Sequence, residues 1–230
     1  DPGDCADGVR FHEEERWTGL LQKNLGEAFR IREEGVVGRT TAFDDPMRPG
    51  MNGLKDLPSV LSGYGTVDLL ILMLGTNDTK ERFGLSPEAI AKGMEELVSE
   101  AKAQPVWGLS GPNILLIAPP HIRKVRDSAM HEKSRALAAL YRAAARRNGC
   151  SFLDAEAICI FNHTDHTHLT AASHRALAQR LAELVPELLE PGSTRKEGVM
   201  LPVAMVWSMV ARQMTVVDFF TSCRMALWPA

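Results

Sequence analysis

Three histidines and an aspartate crowd one short stretch, His163-Thr164-Asp165-His166-Thr167-His168. The spacing Asp165-x-x-His168 lets one loop present a base and its orienting carboxylate. The imidazole takes a proton from a nucleophile, while the aspartate fixes its tautomer and stabilises the imidazolium. A second reading is a zinc site built from His163, Asp165, His166 and His168, because neutral imidazoles and a carboxylate can grip that metal. The order is neither H-E-x-x-H nor H-x-H-x-D-H. A third reading is a purely structural cluster. Upstream, Gly75-Thr76-Asn77-Asp78 offers the Asn77 amide as a donor to an oxygen that turns negative during acyl transfer, a contribution of roughly 3 kcal/mol. The alternative is that Asn77 and Asp78 make a turn and cap a helix. In Gly35-Val36-Val37-Gly38 the backbone N–H of Gly38 can approach a ligand with no Cβ in the way, or the glycine can serve a tight turn.

Something must hold these groups in place. Residues 67–74 (VDLLILML) are apolar except for Asp68 and close on Gly75. Such a run suits a strand buried on both faces of a parallel sheet, and it delivers Asn77 at its end. Residues 28–31 predict a shorter strand ahead of Gly38. Residues 113–118 before Pro119-Pro120, and 151–153 before Asp154, repeat the pattern. Between them apolar residues recur at helical spacing: 13–26 with Trp17, Leu20, Leu21 and Leu25 on one face, then 87–103, 128–148 and 170–189. Alternating strands and helices imply a parallel α/β sheet with ligands at the carboxyl ends of its strands. Residues 44–53, with Pro46, Pro49 and Gly50, read as a loop beside that edge.

Composition narrows the classes. The 230 residues carry 26 Lys and Arg against 29 Asp and Glu, a formal charge of −3, and 45% are apolar, as in one ordinary soluble domain. Near-neutral charge and 6% aromatic residues exclude a phosphate-tracking surface, so no nucleic-acid partner is expected. The longest apolar run, 199–211, is shorter than the ~20 residues of a membrane-spanning helix, and no membrane partner is expected. Cys5, Cys150, Cys159 and Cys223 lack C-x-x-C spacing, which fits a reducing, cytoplasmic setting. The helical pattern stops at Glu190-Pro191-Gly192-Ser193, dividing the chain into a domain at 1–192 and an apolar extension at 193–230 that would need a surface to cover.

The order glycine loop, then G-T-N-D, then D-x-x-H resembles the SGNH (GDSL-type) hydrolases, most specifically their arylesterase and acyltransferase branch. The resemblance rests on Arg16-Trp17-Thr18-Gly19, Glu33-Glu34-Gly35, Arg39-Thr40-Thr41, Asp44-Asp45-Pro46, Asn52-Gly53, the block 73–80 (MLGTNDTK) and the block 165–170 (DHTHLT). It implies a three-layer α/β/α sandwich with a parallel, flavodoxin-like sheet. It also implies hydrolysis of a small-molecule carboxylic ester, or acyl transfer to an alcohol, through an acyl-enzyme. His168 would be the base and Asp165 its partner, and Gly38 and Asn77 would form the oxyanion hole. No metal or organic cofactor is implied, and homo-oligomerisation through insertions such as 44–53 is compatible with it.

The family's first block, an apolar strand ending in G-D-S, has no clear counterpart. Gly3-Asp4-Cys5 carries Cys in place of Ser with only two residues before it, so the nucleophile is unassigned. The chain reads as an N-terminally shortened form with impaired activity, whose missing first strand would leave inner sheet edges unpaired. One alternative uses the other end: Met214-Thr215-Val216-Val217-Asp218-Phe219-Phe220 has strand character and Ser222 follows it, so a permuted strand can occupy the vacant slot. A non-catalytic binding module is the remaining reading, with Trp207, Phe219, Phe220 and Trp228 as an interface patch.

Overall fold

The computed structural model describes residues 11–108 and 111–190, together with the backbone of residues 212–218. In chain order, α1 (Trp17–Leu25) leads to β1 (Phe29–Glu33), and α2 (Gly53–Ser62) to β2 (Leu69–Met73). Then α3 (Pro87–Ala103) leads to β3 (Ile114–Ala118), and α4 (Ser128–Asn148) to β4 (Ser151–Asp154). After α5 (Ala171–Leu189) comes β5 (Arg212–Asp218). Every residue of β2 and β3 is buried, as their unbroken apolar runs require. The helices begin where side chains replace missing backbone partners: Asn52, Ser86, Asp127 and Thr170 accept from Lys55, Ala89, Met130 and Ser173 N–H. Sequence periodicity had not marked α2, whose first residue is Gly53 and whose interior holds Pro58.

All neighbouring strands run parallel, in the order β1-β5-β2-β3-β4. Because crossovers between parallel strands are nearly always right-handed, direction of travel decides which face each helix covers. From β1 through β2 and β3 to β4 the chain moves one way across the sheet, so α2, α3 and α4 share a face. From β4 back to β5 it reverses, which puts α5 on the opposite face. There α5 packs against α1, while α3 packs on both α2 and α4. The result is the three-layer α/β/α sandwich.

The slot between β1 and β2 was expected to stand empty, and it does not. β5 pairs with β1 from Phe29↔Arg212 to Glu33↔Val216, and with β2 from Leu69↔Met214 to Met73↔Asp218. Two inner edges that would otherwise bury unpaired N–H and C=O groups are thereby satisfied. The extension thus supplies a strand to the centre of the sheet. Ser222, Cys5, Trp207, Phe219, Phe220 and Trp228 lie outside the described residues.

Trp17 and Leu21 of α1 and Leu177, Leu181 and Val185 of α5 are buried on one face. Ile90, Met94, Leu97 and Val98 of α3 are buried on the other. Arg16, just before α1, donates from Nε and Nη2 to Glu33 Oε2 at 3.1 and 2.9 Å, and Thr18 Oγ1 donates to the same oxygen at 2.6 Å. The Arg16-Trp17-Thr18 text therefore fastens the first helix to the end of β1. Among the described residues no helix is long and apolar enough to cross a membrane.

Candidate active site

A parallel sheet sends all its carboxyl ends to one edge. The loops after β1, β2, β3 and β4 gather there, and they carry Gly38, Asn77, Arg126 and the Asp165–His168 segment. After β2 the chain turns sharply at Gly75, φ 114°, where a Cβ would lie 2.3 Å from Tyr141 Oη. Only glycine fits, because both the torsion and the space exclude a side chain. Tyr141 Oη donates to Leu74 O at 3.1 Å, which secures the turn from α4.

Asn77 opens a single 3-10 turn, Asn77–Thr79, and is buried. Its Nδ2 donates to Arg39 O at 3.0 Å, and its Oδ1 accepts from Lys80 Nζ at 2.5 Å. The bond to Arg39 brings Asn77 against the Gly38 loop. Gly38 has φ 93°, and a Cβ there would lie 2.7 Å from Arg48 Nη1. Asp78 points inward instead. Its Oδ1 accepts from Thr41 N at 2.9 Å and Thr41 Oγ1 at 2.6 Å, whereas Oδ2 is buried without a hydrogen-bond partner. Burial pushes the Asp78 carboxyl up to about 6, against the lowering effect of the Thr41 bonds.

On the far side of the edge, Asn162 Oδ1 accepts from the N–H groups of Thr164, Asp165 and His166 at 3.0, 2.8 and 3.3 Å. That one side chain folds the loop back on itself, with His166 at φ 58°. Asp165 Oδ1 accepts from Thr167 N and His168 N, both at 2.9 Å, and Oδ2 lies 2.7 Å from His168 Nδ1. The carboxylate accepts a hydrogen bond from Nδ1–H, which leaves Nε2 as the basic nitrogen. Burial alone would raise the Asp165 pKa. The hydrogen bond and charge of His168, with the two backbone N–H groups, hold it well below the usual carboxylate range. Behind them His174 is buried and accepts from Trp17 N at 3.2 Å. Burial, helped by Arg16 and His168, pulls its imidazole down to about 3, so it is neutral.

Gly38 and Asn77 are thus joined through Arg39, and Asp165 and His168 are joined directly. The two pairs share the sheet edge rather than a bond between Asn77 and His168. The four side chains weighed as zinc ligands do not converge. His163 and His166 stand edge to face with ring centroids 6.3 Å apart, and among the described residues no three His, Cys, Asp or Glu side chains are placed to hold a metal. Sequence reasoning passed over Asn162, Lys80 and His174. Asn162, three residues before Asp165, carried the visible signal of a short polar side chain at a turn.

Comparison with known proteins follows the same lines. Residues 3–176 match the profile of the GDSL-like lipase/acylhydrolase family. The aryl esterase of M. smegmatis is 34% identical, with a TM-score of 0.74 over 80% of this chain and 94% of that one. Est24, a carbohydrate acetylesterase from Sinorhizobium meliloti, is 35% identical, with a TM-score of 0.71 over 78% of this chain and 88% of that one. No curated protein matches the chain. With the profile spanning most of the sequence and the sandwich shared with these esterases, the chain belongs to the GDSL-like (SGNH) lipase/acylhydrolase family of esterase-type hydrolases.

Proposed function

We propose that this chain hydrolyses small carboxylic esters, or passes their acyl group to an alcohol, through an acyl-enzyme. The observation that carries the reading is the 2.7 Å contact between His168 Nδ1 and Asp165 Oδ2, held at the same sheet edge as Asn77 and Gly38. His168 Nε2 takes the proton of an alcohol side chain as its oxygen bonds to the ester carbonyl carbon. Asp165 steadies the imidazolium that results. The carbonyl oxygen, now negative, is received by the Gly38 N–H and the free Asn77 Nδ2–H. Collapse breaks the bond to the leaving alkoxide, which takes the proton from His168, and water or a second alcohol then repeats the sequence on the acyl-enzyme. Aryl and acetyl esters are the first substrates to try, given the similar proteins.

The nucleophile is best sought beyond β5. That strand ends at Asp218 level with Met73 of β2, and Ser222 follows four residues later. A fluorophosphonate probe, followed by peptide mass spectrometry, tests both points. Labelling at Ser222 that is lost in His168→Gln supports the whole reading. Labelling at another serine moves the nucleophile, and no labelling together with no ester hydrolysis removes the function.

A further inference from the structure

Asn77 is held by a cation. Lys80 Nζ donates to Asn77 Oδ1 at 2.5 Å, and Lys80 N donates to Asn77 O at 3.1 Å, so both ends of the lysine close on one residue. An amide has two nearly equivalent orientations, and its neighbours must choose between them. Here the choice is forced. Rotating the Asn77 amide by half a turn would set its NH2 against an ammonium and its oxygen against the Arg39 carbonyl. With Oδ1 on Lys80 and one N–H on Arg39 O, the other N–H is the donor left over.

We propose that Lys80 is a positioning residue for ester chemistry: its ammonium fixes the Asn77 amide with an N–H toward the reacting carbonyl and polarises that N–H. The proposal rests on the oxyanion role given to Asn77 above. A cation on the amide oxygen withdraws electron density, which makes the remaining N–H a better donor to a developing negative oxygen. The surroundings fit a charge kept for that purpose. Arg82 beside it, Arg48 from the 44–53 loop and Arg126 from the loop between β3 and α4 all act on Lys80, and the carboxylates that interact with it are Asp45 and the buried Asp78. Asp45 is already held by Arg82 through bonds of 3.1 and 2.5 Å. Among the described residues Lys80 makes no ion pair, and its hydrogen-bond acceptor is the asparagine.

Burial and the neighbouring arginines bring Lys80 down to about 8. It is therefore a cation at neutral pH and loses its proton within an accessible range. Below about pH 8 the amide is held by a charged donor. Above it the bond is neutral and the polarisation is gone, so the rate should fall as pH rises.

The test uses the full chain with phenyl acetate across the alkaline range. In the wild type, kcat is expected to fall with a midpoint near pH 8. Lys80→Met should lower kcat about tenfold or more, with KM changed less than about twofold, and should lose that alkaline limb. Lys80→Arg should restore most of kcat and carry the limb beyond the range, since guanidinium stays charged. A Lys80→Met enzyme with wild-type kcat, or an alkaline limb unchanged in Lys80→Arg, would overturn the proposal. A second readout needs no turnover: the side-chain ¹⁵N–H resonances of Asn77 should titrate near pH 8 in the wild type and not in Lys80→Met. If no variant hydrolyses the ester, the functional reading fails, and the resonances alone decide whether Lys80 governs the amide. Asn77 resonances that do not titrate would refute it.

Discussion

Two buried titratable groups lie behind the site, and they pull stability in opposite directions. His174 is held neutral in the fold, down to about 3, whereas in the unfolded chain it binds a proton near pH 6.5. Its contribution is present above about 6.5 and is lost as pH falls toward 3, at up to about 1.4 kcal/mol per pH unit. His174→Asn keeps an acceptor for the Trp17 N–H, so urea midpoints measured from pH 7 to 5 should fall less steeply in the variant. Asp78 has the reverse sign. Its folded value of about 6 lies above that of an unfolded aspartate, so its stabilising effect is full below about 4 and is lost as pH rises through 6. Asp78→Asn retains an oxygen for Thr41 and removes a buried charge. It should raise stability at neutral pH by about 1–2 kcal/mol, with the gain vanishing below about pH 4. A variant less stable at neutral pH would contradict this account of Asp78.

The Asp165–His168 loop depends on a residue outside the proposed chemistry. Asn162 gathers three backbone N–H groups, and without it the Asp165–His168 turn loses the bonds that set its curvature. Asn162→Ala should lower kcat about tenfold or more while the global melting transition moves by only a few degrees, read by kinetics and calorimetry on one sample. Asn162 shows in the sequence only as a short polar residue at a turn, whereas what surrounds Lys80 and His174 is hidden by distance. Asp165-x-x-His168 is a local pattern, and its bond closes over three residues. The charged neighbours of Lys80 include residues of the 44–53 loop and the loop before α4, the partner of His174 comes from the first helix, and no local spacing records them. The elements divide similarly. Residues 67–74 declare a buried strand because the unbroken apolar run after Asp68 suits two covered faces, and β2 occupies Leu69–Met73. The helix α2 is hidden by Gly53 and Pro58, which oppose helix in isolation and are overridden by the Asn52 cap and the burial of Leu57 and Leu61. Residues 214–217 have β-branched strand character, but parallel pairing with β1 and β2 joins positions remote in sequence.

The central strand of the sheet is β5, which follows all the other strands in sequence, and the sheet depends on it. β5 supplies the inner partners of both β1 and β2, so its loss would expose two unpaired edges at once. Val216 pairs with Glu33 on one side and Ile71 on the other. Val216→Pro removes its N–H and forces its torsion in the middle of the ladder. The variant should aggregate or melt without a cooperative transition, as followed by circular dichroism and light scattering. A soluble variant with the wild-type melting temperature would show that the sheet does not need this strand. The same placement bears on chemistry, since β5 ends beside β2 at the edge where Gly38, Asn77 and the Asp165–His168 pair collect.

Whether those groups act together on an ester is decided by the rate of p-nitrophenyl acetate hydrolysis by the wild type and by His168→Gln at near-neutral pH. The expected result is measurable turnover in the wild type and a fall of about 10³-fold or more in the variant, with folding unchanged by circular dichroism. Equal rates in the two proteins, or no turnover above buffer in either, would contradict that joint action.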